Sequence, residues 1–60
     1  MPRFTVVDTI GVTEDQEPGE VLRTVTRPSA QGFRYLVDGR EVAAVDIIPI
    51  AQAALAALRG

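Results

Sequence analysis

A chain of 60 residues, 47% hydrophobic and 23% charged, has the composition of one small folded unit rather than of a disordered segment. A fold of this size buries only about 60% of its unfolded surface. With no Cys and no His, disulfides and the usual zinc sites are excluded as reinforcement, which leaves self-association. The net charge of −2, in a chain whose six basic residues are all Arg, argues against a dedicated nucleic-acid binder, because phosphate affinity rests on clustered positive charge.

In chain order, Arg3 to Val12 alternates Phe4, Val6, Asp8, Ile10 and Val12 with Arg3, Thr5, Val7, Thr9 and Gly11. This period of two predicts a half-buried strand. Asp8 interrupts the apolar row. Facing a core it would be the kind of perturbed carboxylate that catalysis uses, and at the rim of the strand it would simply reach water. The segment TEDQEPGE, Thr13 to Glu20, holds four of the eight acidic residues and a Pro-Gly pair, which predicts a solvated loop. Its acids Glu14, Asp15, Glu17 and Glu20 do not follow the spacing of a twelve-residue calcium loop, so a charge run facing water is expected and no metal ligand set. A second strand is predicted from about Val21 to Arg27, where Thr24, Val25 and Thr26 favour extended backbone and Pro28 ends it. Its inward face stays open, since Val21 and Val25 share a side with Arg23 while Leu22 lies opposite.

FRYLVDGREVAAV carries the sharpest local signal. Asp38-Gly39 between two extended runs predicts a two-residue type I′ turn, in which both central residues take positive φ. That register sets Val37 opposite Arg40, Tyr35 opposite Val42 and Phe33 opposite Ala44, with the aromatic face toward the core. Asp46 is placed to cap a helix, and Pro49 suits its first turn. At 100° per residue Ile47, Ile50, Ala51, Ala54, Leu55 and Leu58 form one apolar stripe that should cover the sheet. The predicted fold class is α+β: a single domain over 1–60, with a small antiparallel sheet of about four strands, mostly a meander, and one C-terminal helix packed on one face.

With that stripe turned inward, the outer arc of the helix holds Pro49, Gln52, Ala53, Ala56, Ala57 and Arg59. Two explanations stand. Ala is the best helix former and costs little when exposed. Small side chains also let another protein surface approach closely, which makes Gln52, Ala53, Ala56, Ala57 and Arg59 the expected partner-binding residues, with a two-fold dimer as the first form of association. Arg23, Arg27, Arg34 and Arg40, all on or beside predicted strands, are candidates to gather on the open sheet face and grip phosphates or an acidic partner; scattered solubilising arginine is the plainer account.

There is no Gly-rich phosphate loop, no Ser/His/Asp set, no Cys nucleophile and no Lys, so neither an enzyme nor a cofactor is expected. One exception is Pro2 at the head of the first predicted strand of so short a chain, which resembles the oxalocrotonate tautomerase family, whose small subunits assemble around an N-terminal proline. The resemblance implies that removal of Met1 would present Pro2 as a secondary amine acting as base or nucleophile. The chain departs from that family beyond the strand, where Pro18-Gly19 interrupts the region of the family's long helix. The leading expectation is a small non-enzymatic protein-interaction module, self-associating, that binds or bridges a larger partner as an inhibitor, antitoxin-like protein or assembly factor. A nucleic-acid accessory protein using the arginine-bearing sheet and a tautomerase-like enzyme are the alternatives. MPRFTVV lacks the long apolar stretch of a secretory signal, and the run from Ile47 to Leu58 is too short to span a bilayer, so a cytoplasmic location away from membranes is expected.

Overall fold

In the computed structural model, which describes residues 2–60, four short strands pair into one antiparallel sheet and two helices pack on one of its faces. Strand β1 (Phe4–Val7) forms a hairpin with β2 (Thr13–Gln16), and β3 (Arg34–Val37) forms one with β4 (Arg40–Val42). The two hairpins join through β1 and β3, giving the order β2-β1-β3-β4. Helix α1 (Pro18–Val25) and a single 3₁₀ turn (Pro28–Ala30) connect the hairpins, and helix α2 (Ala44–Arg59) follows β4. The architecture is the expected α+β class, four antiparallel strands with a C-terminal helix, to which α1 is added; the strand order is not the expected meander, because α1 carries the chain across so that β3 pairs with β1 and leaves β2 at the edge.

Cross-strand pairing sorts the side chains. Glu14, Val6, Tyr35 and Val42 share one row on the helix side, and Gln16, Phe4, Val37 and Arg40 another. The core is built there from Phe4, Val6 and Tyr35 of the sheet, Val21 of α1, and Ile47, Ala51 and Ala54 of α2. Thr5, Val7, Asp15, Arg34, Leu36 and Glu41 occupy the other face, which no helix covers. The β3–β4 register matches the expected one, Val37 opposite Arg40 and Tyr35 opposite Val42, around Asp38 (φ 51°) and Gly39 (φ 81°). Ala44 does not extend that ladder to Phe33, because it is already the first residue of α2.

Three segments differ from the sequence-based expectation. The first strand is four residues long rather than ten, because the chain turns at Asp8. Part of the acidic run is an edge strand, β2: its backbone pairs with β1 on one side, while its exposed Glu and Asp discourage further pairing on the other. Val21–Arg27 is not a strand. Pro18 occupies the first helical turn, where its lack of an N–H costs nothing, and the Glu17 N–H donates to the Glu20 carboxylate at 3.0 Å. Pro18, Val21 and Thr24 are buried, Leu22 and Val25 pack beside them, and the Thr24 hydroxyl donates to Gln16 Oε1 at 3.0 Å, joining α1 to the end of β2. A helix of eight residues is too short to hold itself together, so packing against α2 and the sheet overrides the extended preference of Thr and Val.

Helix α2 also starts earlier than expected. Ala43 is its N-cap residue and accepts from the Asp46 and Ile47 N–H groups at 2.9 and 3.0 Å; Asp46 lies within the first turn, where its charge complements the positive helix end. Pro49 therefore sits inside the helix rather than in its first turn, and the carbonyl of Val45 lacks its helical donor.

Candidate protein-binding surface

The inward side of α2 is Ile47, Ala51 and Ala54, all buried, with Ile50 packed beside them. Leu58, expected in the same stripe, is 56% exposed near the helix end. Every residue expected on the outer arc is exposed: Pro49, Gln52, Ala53, Ala56, Ala57 and Arg59. Val45, which the sequence reading left out of the helix, joins them at 73% exposure. No charged residue interrupts the stretch between Asp46 and Arg59, so about 18 Å of helix (1.5 Å per residue) presents small or apolar side chains and a single amide, Gln52, to water.

The four arginines do not form one surface. Arg23 is exposed on α1, Arg27 follows that helix, and Arg40 stands at the start of β4 in a helix-side row. Only Arg34 lies on the open sheet face, and it is engaged there: its Nη2 and Nε donate to the two carboxylate oxygens of Glu41 at 2.6 and 3.2 Å. Hydrogen bonding and charge from each partner raise the pKa of Arg34 and lower that of Glu41. The expectation that these arginines gather rested on a strand at 21–27, and the helix found there disperses them.

The acidic residues have local partners as well. Asp15 accepts from the Thr5 hydroxyl at 2.9 Å and Glu14 from the Gln16 amide at 3.3 Å, while Glu20 caps α1. Among the described residues no group of three or more acidic side chains is arranged to hold a metal ion. Asp8 neither enters the core nor meets an arginine; its carboxylate accepts from the N–H groups of Ile10 and Val12, both at 3.0 Å. Pro2 is half-buried at an open cleft of about 300 Å³ shared with Phe4, Pro18, Asp15, Glu17 and Glu20. Removal of Met1 concerns a residue outside those described.

The sequence reading missed one surface. Ile10 and Val12, assigned to the apolar row of a long strand, are instead 83% and 56% exposed at the tip of the β1–β2 hairpin. The signal was present: Asp at the first position of a type I turn and Gly at the fourth, here Asp8 and Gly11. No family model, curated protein or solved structure matches the chain. Among the described residues no helix is long and apolar enough to cross a membrane.

Proposed function

We propose that this chain is a small protein-binding module whose recognition surface is the outer face of α2. The observation that carries the proposal is the exposed row Val45, Pro49, Gln52 and Ala56, spaced i, i+4, i+7 and i+11 and free of charge. That spacing is the one by which a helix face enters a partner's groove. Helix propensity alone does not account for the row, since Val is a middling helix former and Pro the worst, and both stand exposed where Glu or Lys would serve solubility and helicity better. An exposed carboxylate elsewhere on so small a protein would cost little, so the lack of one along this face fits a surface that becomes buried.

The test is affinity capture from cells of the source organism with wild type, Ala53→Glu and Ala56→Glu as baits, read by mass spectrometry after circular dichroism has verified each fold. A protein retained by wild type and lost by both variants is the expected result. Equal capture by all three baits overturns the assignment of this face.

A further inference from the structure

Strand β2 has one free edge. Along β1 and β2 the paired residues alternate between two kinds, and the phase is set by the Asp8 N–H, which donates to the Val12 carbonyl at 3.1 Å. Val6–Glu14 and Phe4–Gln16 are therefore the pairs that exchange backbone hydrogen bonds. The N–H and carbonyl groups of Thr13 and Asp15 point away from β1, and no other strand lies on that side. Both residues are exposed. Their backbone groups are open to a further strand, in a segment of regular register that holds no proline to blunt it.

Charge selects which strand can come. Between Arg3 and Arg23 there is no basic residue, while Asp8, Glu14, Asp15, Glu17 and Glu20 all fall there, and among the described residues none of these carboxylates forms an ion pair. The acids that discourage pairing with a like-charged strand, a second copy's β2 included, attract a basic one. Beside the edge, on the helix side of the sheet, lies an open hollow of about 130 Å³ lined by apolar Val6, Val12 and Phe33 and by polar Asp8, Glu14 and Gln16. A lysine or arginine side chain has the same division, an apolar stem that ends in a cation.

We infer that β2 receives an extended basic segment of another protein as a fifth strand of the sheet, with one lysine or arginine laid in the hollow beside Glu14. Partner residues opposite Thr13 and Asp15 exchange main-chain hydrogen bonds with them and turn their side chains to the open sheet face. The residue between them, opposite Glu14, projects on the helix side over the hollow. Its stem covers Val12, which is 56% exposed, and its cation meets the carboxylates of Asp8 and Glu14. The main chain supplies affinity that is blind to sequence, and the carboxylates supply the choice of a basic strand. No residue of α2 belongs to this edge or lines the hollow, so the inference stands apart from the function proposed above.

Amide hydrogen exchange of the whole chain, read by NMR with and without a short blocked peptide of alternating valine and lysine, tests the edge. At a peptide concentration about ten times the dissociation constant, exchange of the Thr13 and Asp15 N–H groups is expected to slow about tenfold, because it proceeds only from the free fraction. The same peptide with N-methylated valines keeps its charge but loses the donors, and it is expected to give no such protection; neither is a peptide with glutamate in place of lysine. Glu14→Gln is expected to weaken binding about threefold, as the loss of one exposed ion pair does, and added salt to weaken it as well. Ala53→Glu is expected to bind the peptide like wild type. No protection of Thr13 and Asp15 by the lysine peptide at millimolar concentration, or equal protection by the glutamate peptide, overturns the inference. Equal protection by the N-methylated peptide overturns it too, since charge attraction without strand pairing would then suffice. Binding that is indifferent to Glu14→Gln, strengthened by salt or lost in Ala53→Glu has the same consequence.

Discussion

The two hairpins of the sheet solve the same problem by different means. At the β3–β4 end the backbone does the work: Asp38 and Gly39 both take positive φ, and a loop of two residues fixes the register outright. At the β1–β2 end one side chain does it, with the Asp8 carboxylate gathering the N–H groups of Ile10 and Val12. The first device leaves nothing apolar behind, and its one engaged carboxylate, Asp38, accepts from the Arg3 N–H of the neighbouring chain segment at 2.9 Å and not from the turn itself. The second holds two large apolar residues in water. A turn that exists only to reverse the chain has no need of Ile10, which stands 83% exposed.

The largest effect should come from the backbone device. Gly39→Val forces a β-branched residue to φ near 81° and should destabilise by about 2 kcal/mol, lowering Tm by roughly 8 °C or more. A wild-type melting curve would mean that the turn can re-form in another conformation and that register is set elsewhere. Next comes Asp8→Ala, which leaves two loop N–H groups without their acceptor and should cost about 1 kcal/mol, with Asp8→Asn retaining most of the stability. Hydrogen exchange gives the sharper readout: the Ile10 and Val12 amides should exchange faster in Asp8→Ala, while those of β3 and β4 change little.

Glu20→Ala removes the acceptor for the Glu17 N–H and should cost about 0.5 kcal/mol in thermal denaturation. A larger loss would show that α1 depends on its cap more than on its packing. The smallest effect should be at Glu41→Gln on the open sheet face, since an exposed ion pair contributes little; melting temperatures of variant and wild type at neutral pH should coincide within error. Because Arg34 holds Glu41 below the usual carboxylate range, the contribution is present above the ordinary carboxylate pKa and fades only as pH falls through the lowered value. An acid titration of Tm should therefore carry any small difference between the two proteins at neutral pH and lose it at the acid end, where the two curves converge.

What the sequence alone determined is whatever local stereochemistry decides. Asp38-Gly39 has one comfortable way to join two strands, so Tyr35 opposite Val42 followed from two residues. The outer arc of α2 followed likewise from helical periodicity, and Gln52, Ala53, Ala56 and Ala57 all stand exposed. The tertiary structure decided residues 8–27, where local signals conflict. Val21–Val25 has β-branched residues that favour a strand and the pattern Pro18, Val21, Leu22, Val25 that suits a helix face; burying that face against α2 and the sheet outweighs the propensity difference. Glu14 and Asp15 disfavour a strand, yet pairing with β1 supplies the hydrogen bonds that make Thr13–Gln16 one. The exposure of Ile10 was beyond period counting, because alternation assigns faces only while the strand continues, and the Asp8 carboxylate stops it after Val7.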